Sequence, residues 1–395
     1  MEGSFYVEIN CQQNNHEGER ICGDVFVSKR IKEEGRIIAV LSDGMGHGVK
    51  ANMLAILTAT LAANFTREHK DFRTIAEIIM NTLPVCSVRK ISYSTFTIVD
   101  INTHTGEVSI LEYDNPECMV MQGKDVFHPQ WEKIILESER NKGKELRSAK
   151  FSVQKEDRIL FWSDGIAQSG LGSPKYPFGW GIDEAKYFVQ SVISKTPYIS
   201  AMKIARKVVN MAVMNDNYRP KDDTSCASIY FREPRKLLLC TGPPFEKGRD
   251  IELAMIVYQF QGKKILCGAT TAEIVSRELG ENIVDNFEFD DPDLPPTSNM
   301  KGVDLITEGI LTLGKVTNIL RQYDSNTNLG RGPADQIVKM FLDSDEINLT
   351  IGTCINIAHQ DPTLPVELEI RRTVVKRIAK LLEEKFLKEV TLKYL

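Results

Sequence analysis

The chain lacks any paired-cysteine motif. Its eight cysteines (Cys11, Cys22, Cys86, Cys118, Cys226, Cys240, Cys267 and Cys354) are scattered, and no two are spaced C-x-x-C. This argues against a zinc ribbon and a thioredoxin-like redox site. A disulfide scaffold does not suit a chain of 395 residues, and Cys240 and Cys267 sit in apolar runs that read as buried strands. The start, Met1-Glu2-Gly3-Ser4, has neither the basic residues nor the apolar core of a secretory signal. No apolar run is long enough to cross a bilayer: the strongest helical candidate, Met53–Ala63, is short and carries threonines. Positive charge is not in excess either. With 49 Lys+Arg against 54 Asp+Glu the net charge is −5, which gives no general electrostatic reason to bind nucleic acid or an anionic membrane. Solenoid repeats and low-complexity tracts are also missing. The expectation is a cytoplasmic protein with neither nucleic acid nor membrane as partner.

What is present is ordinary globular material, 42% hydrophobic and 26% charged, enough for two or three domains at roughly 100–200 residues each. A division falls near Phe231, giving domains 1–232 and 236–395 joined by Arg232-Glu233-Pro234-Arg235. In the first, alternating or apolar runs predict strands at Phe5–Ile9, Val25–Ser28, Ile37–Leu41, Thr95–Asp100, Val108–Tyr113, Cys118–Gln122, Arg158–Trp162 and Ser225–Phe231. Helical spacing marks two long segments, Gly48 to about Arg67 and Ser200 to about Asn215. Many strands with few helices predict an α+β layered domain. In the second, short apolar strands at Lys236–Cys240, Lys264–Cys267, Val303–Thr307 and Ile347–Ile351 alternate with helix-like segments, and a long helix spans about Val366–Leu387. That alternation predicts an α/β domain with a mostly parallel sheet.

One phrase occurs twice. Ile37–Leu41 leads into Ser42-Asp43-Gly44, and Arg158–Trp162 leads into Ser163-Asp164-Gly165. A buried strand that delivers a carboxylate to its end is costly unless a cation meets it, and no Lys or Arg lies close in sequence. Two further aspartates have similar settings: Gly23-Asp24 opens a strand and Asp222-Asp223-Thr224 precedes one. A lone Ser-Asp-Gly is usually a turn or a helix cap. Four such placements together point instead to the ligand set of a hard divalent ion such as Mg²⁺ or Mn²⁺. Three glycines in Asp43-Gly44-Met45-Gly46-His47-Gly48 imply a backbone needing positive φ or close approach, followed by a helix start.

In this order the motifs resemble the metal-dependent PPM serine/threonine phosphatases, in the bacterial branch typified by the sporulation stage II E phosphatase. The resemblance covers roughly residues 4–232. It implies an αββα two-sheet sandwich with two Mn²⁺ or Mg²⁺ ions between the sheets. By motif, Asp43 would bridge both ions, the Gly44 carbonyl would bind one, Asp24 would complete the second-ion site, and Asp164 and Asp222 would hold the first. Asp43 and Asp164 would be the catalytic pair. It implies a phosphoprotein phosphatase whose partner is a phosphorylated protein, of the kind that includes anti-sigma-factor-antagonist regulators. The alternative is a catalytically weak signalling module of the same fold that binds a phosphoprotein or a small ligand.

Departures from the eukaryotic pattern accompany the match. Met45 stands where those members carry a histidine. His47 is a possible substitute, though capping or packing against the helix at Gly48 is the reading preferred. Arg20 reads as a surface residue rather than a phosphate contact, and Asp223 as a supporting residue rather than a ligand.

The second half has two tempting motifs. Gly309–Lys315 matches G-x-x-x-x-G-K, but Val316 occupies the Ser/Thr position and the interior is apolar, so a helix is expected. Thr270 and Glu273 fit a capping box after the strand ending at Cys267. No function is assigned to this half; a regulatory role is the default expectation.

Overall fold

A computed structural model describes residues 5–68, 71–82, 94–288, 290–323, 327–354, 365–386 and 388–395. The chain divides into two compact units, Met1–Glu233 and Pro234–Leu395.

The first unit runs β1 (Tyr6–Asn14), β2 (Asp24–Ile31), β3 (Arg36–Gly44), α1 (Gly48–Arg67), α2 (Phe72–Thr82), β4 (Ser94–Asn102), β5 (Glu107–Tyr113), β6 (Met119–Gln122), β7 (Asp125–Phe127), β8 (Trp131–Ile135), β9 (Glu145–Ser152), β10 (Arg158–Trp162), α3 (Asp164–Gln168), α4 (Ile182–Lys195), α5 (Ala201–Asn215) and β11 (Thr224–Arg232). These strands build a five-stranded sheet in the order β1-β11-β10-β6-β7 and a six-stranded sheet in the order β2-β3-β4-β5-β9-β8. Alternation of side chains across each strand supplies both faces. Ile37, Ala39, Leu41, Val99, Phe161 and Ile229 belong to the core between the sheets. Ile38, Val40 and Ile98, from alternate positions, pack instead against α1 and α2. Leu160, Trp162 and Cys226 do the same for α4 and α5. The result is the αββα two-sheet sandwich expected.

Helices α2, α3 and α4 and strands β7, β8 and β9 go beyond the elements expected. The α2 signal is present in the sequence as buried Ile75, Ala76, Ile79 and Met80 at helical spacing. Helix α1 is unusual in its faces. Small residues (Ala51, Ala55, Ala59, Ala62 and Ala63) meet the sheet, while Val49, Met53, Ile56 and Leu57 are exposed, Met53 by 65%. Alanine brings the helix axis close to the sheet; a Cβ on Gly44 would lie 2.0 Å from the Ala51 carbonyl oxygen.

The second unit runs β12 (Lys236–Thr241), α6 (Asp250–Gln259), β13 (Lys263–Cys267), α7 (Ala269–Leu279), β14 (Ile283–Asp285), β15 (Ser298–Met300), β16 (Val303–Thr307), α8 (Ile310–Gln322), α9 (Pro333–Asp343), β17 (Glu346–Ile351), α10 (Pro365–Glu384) and β18 (Glu389–Tyr394). Its sheet has the order β14-β15-β16-β13-β12-β17-β18. Pairing is parallel from β16 through β18 and antiparallel at β14 and β15. The mostly parallel α/β expectation holds, and Cys240 and Cys267 are fully buried in its strands. Leu387, the expected end of the long helix, lies outside the described residues, as does Cys86.

Two local expectations meet different outcomes. The segment Ile310–Lys315 is helical, and Lys315 Nζ donates to both oxygens of Asp291 (2.7 and 2.9 Å), so this lysine serves an acidic loop rather than a phosphate cradle. The capping box does not form. Helix α7 already begins at Ala269 with Gly268 as N-cap at φ +120°, which leaves Thr270 inside the first turn. Among the described residues, no helix is long and apolar enough to cross a membrane.

Candidate metal centre

Each candidate aspartate arrives on a different piece of backbone. β2 opens with Asp24, which lies directly opposite Asp43 near the end of β3. β10 ends at Trp162 and α3 begins with Asp164. Asp222 precedes β11, whose Thr224 pairs with the end of β1. Strands from both sheets therefore release acidic side chains at one end of the sandwich.

Backbone proximity explains the glycines beside them. A Cβ on Gly165 would stand 2.2 Å from the Asp223 carbonyl oxygen, as one on Gly44 would collide with α1. Both Ser-Asp-Gly phrases thus have their glycine for close chain approach. Ser163 and Ser225 stitch the sheet end together: Ser163 N donates to Ser225 O (3.1 Å), and Ser225 N donates to Ser163 Oγ (3.0 Å). Ser225 Oγ in turn donates to Asp24 Oδ2 at 2.6 Å. From β4, Ser94 Oγ donates to the Asp43 carbonyl on β3 (2.8 Å), fixing the turn that follows.

The carboxyls act on one another. Asp43 and Asp164 interact directly, side chain to side chain. Burial, then the charges of Asp24, Asp164 and Asp222, drive the Asp43 carboxyl well above the usual carboxylate range. Burial also raises Asp24, to about 7, and Asp222, to about 6, with Asp164 the main neighbouring charge on Asp222. Asp164 is raised for the same first reason, although Gln168 Nε2 donates to its Oδ2 at 2.6 Å. The site as described is a set of acids crowded by acids.

That donor set suits a hard cation. Asp24 is 2% exposed, and its Oδ1 has no hydrogen-bond partner. Carboxylates with free lone pairs and no cationic partner are what Mg²⁺ and Mn²⁺ take as ligands. The oxygens are not set around an ion, however: among the described residues no three His, Cys, Asp or Glu side chains converge on one ion position. The hydrogen bonds from Ser225 to Asp24 and from Gln168 to Asp164 occupy oxygens that ligation would use.

The neighbouring residues resolve several alternatives. His47 holds the N-cap position of α1 but makes no side-chain cap hydrogen bond. Its Nδ1 instead lies 2.7 Å from Glu19 Oε1, and its ring stacks on His16 with centroids 4.4 Å apart. It therefore does not cap α1 and meets Glu19 and His16 instead. Arg20 is exposed, as expected of a surface residue. Asp114 was not read from the sequence as part of the site, yet its charge raises the Asp164 carboxyl. It occupies a positive φ of 57° after β5, so no strand alternation points to it. A cavity of about 670 Å³ is lined by Arg36, Asp100, Glu107 and Lys150. Arg36 opens β3, whose far end carries Asp43, so the cavity lies away from the acids.

Three comparisons bear on the chain. The family model for stage II sporulation protein E (SpoIIE) matches residues 33–232, half of the chain. No curated protein matches it. Among solved structures, it is similar to the PP2C phosphatase domain with a fragment of the regulatory domain of SpoIIE from Bacillus subtilis, at 16% identity and TM-score 0.48; the match covers 58% of this chain and 62% of that one. The RsbU and RsbW domains of Rv1364c from Mycobacterium tuberculosis give 15% identity and TM-score 0.46, over 64% of this chain and 67% of that one. The SiaA-PP2C domain of Pseudomonas aeruginosa gives 14% and 0.43, over 57% and 85%.

Proposed function

We propose that this chain, which belongs to the stage II sporulation protein E (SpoIIE) family, is a metal-dependent phosphoprotein phosphatase that hydrolyses phosphoserine or phosphothreonine on a bacterial signalling partner. The observation that carries this reading is the placement of Asp24, Asp43, Asp164 and Asp222 at strand ends on one side of the sandwich, near enough for their charges to act on one another. A pair of divalent ions, when bound, supplies an acidified water and screens the phosphoryl oxygens. The chain's part would be to hold those ions with Asp24, Asp43, the Gly44 carbonyl, Asp164 and Asp222. Ser225 and Ser94 orient Asp24 and the Asp43 turn, so the ligands keep their relative positions. Phosphoryl transfer to water asks mainly for positioning and charge, which fits a site of carboxylates on strand ends. A solvated partner peptide bearing a phosphate on a regulator of the anti-sigma-factor-antagonist kind is the proposed substrate.

The test is phosphate release from a phosphoserine peptide with Mn²⁺, comparing the wild type with Asp43→Ala and Asp164→Ala. Activity that survives in both variants would overturn the reading. A second reading, binding of a phosphoprotein without turnover, is favoured by the lack of three convergent ligands among the described residues. Retained peptide with no phosphate release at saturating Mn²⁺ would support it.

A further inference from the structure

The acid next to Asp222 stands out once the site is built. Asp223 is 2% exposed, as deeply buried as Asp24. Its Oδ1 accepts a hydrogen bond from the backbone N–H of His16 (3.1 Å). Its Oδ2 has no partner and lies against Gly23, where a Cβ would come within 2.6 Å. Gly23 is the residue immediately before Asp24, whose Oδ1 is the other partnerless buried carboxylate oxygen at the site. The glycine clears space in front of a carboxylate, and that carboxylate leaves one oxygen bare. A buried carboxylate oxygen without a donor costs free energy that a cation recovers.

We infer that Asp223 is itself a ligand, joining Asp24 on the second ion through its free Oδ2. This rests on the proposed metal-dependent reading and extends it by one residue. A purely supporting role would need only the Oδ1 contact to His16. Asparagine would meet that need equally, with no buried negative charge. The bare second oxygen has no structural use in that role.

The test uses the full chain and Mn²⁺ alone. Isothermal titration calorimetry of the wild type should resolve two ions. In Asp223→Asn, which keeps an oxygen for the His16 N–H, one ion should remain at wild-type affinity and the other should weaken by at least about tenfold. A second readout needs no metal: Asp223→Asn should raise the melting temperature of the metal-free chain, because a bare buried carboxylate is removed. It should also reduce the melting-temperature gain on adding Mn²⁺. The first change follows from burial in either role; a supporting role would leave the Mn²⁺-induced gain unchanged. Should Asp223→Asn fail to fold, Asp223→Ser, smaller and still an acceptor, serves the same two measurements. Two ions bound by the variant with wild-type affinity would overturn this inference. No ion bound by the wild type would overturn the metal-dependent reading itself, which separates the two failures.

Discussion

Asp24 and Asp222 are carboxyls that the fold holds protonated far beyond their ordinary range. An unfolded aspartate titrates near 3.8, whereas burial lifts folded Asp24 to about 7 and Asp222 to about 6. Between those values the folded chain binds more protons than the unfolded one. Stability of the metal-free protein therefore falls as pH rises from about 4 to about 7. Urea unfolding at a series of pH values in chelator should show that slope. Asp24→Asn should flatten it, and saturating Mn²⁺, taking the place of the protons, should reverse it. Unchanged slope in the variant would count against the assignment. The site's glycines give a second prediction at this scale. Gly165→Ala sets a Cβ against the Asp223 carbonyl, so it should cost at least about 1–3 kcal/mol in thermal denaturation. The aspartates were legible in the sequence because each sits where an apolar strand pattern starts or stops. Asp114 was not, since a left-handed turn residue carries no periodicity. Nor could spacing alone tell a supporting carboxylate from a ligand at Asp223, because that difference lies in one oxygen's surroundings.

Helix α1 turns its alanines to the sheet and its larger apolar side chains outward. Tight packing leaves no room on the inner face. Ala59→Leu should therefore destabilise the chain by about 1–3 kcal/mol through overpacking. Met53→Gln, on the exposed face, should stay within about 0.5 kcal/mol of wild type. Equal costs from the two changes, measured by chemical denaturation, would contradict the face assignment. The helix itself was readable from its periodicity, but which face is inner was not. Hydrophobicity alone would bury Val49, Met53, Ile56 and Leu57. What decides is the Gly44–Ala51 contact, where the close approach of β3 selects small residues. The capping box at Thr270 failed for a related reason: Gly268 at positive φ started α7 earlier than side-chain chemistry suggested.

Across the whole molecule, every strand pairing described stays within one of the two units. Residues 1–233 produced alone should unfold cooperatively and bind Mn²⁺ as the full chain does. A broad transition, or lost binding, would show that the second unit contributes to the first. Phosphatase rates of the two forms would at the same time test the regulatory role expected for the second unit. The sandwich was legible because strands declare themselves by alternation. The short edge strands β7 and β8 escaped notice, and so did β9 between β5 and β8, whose burial does not alternate cleanly.

Strand β1 pairs along its whole length with β11, from Tyr6 opposite Arg232 to Asn14 opposite Thr224. During synthesis the first strand must wait for the last one of its unit. At roughly 5–20 residues per second that interval is on the order of 10–40 s. Asp24 and Asp222 come from the two ends of the same stretch. The ion site consequently assembles only after the ribosome has passed Arg232, so metal availability can bear on the finished sandwich but cannot guide the early steps of its folding.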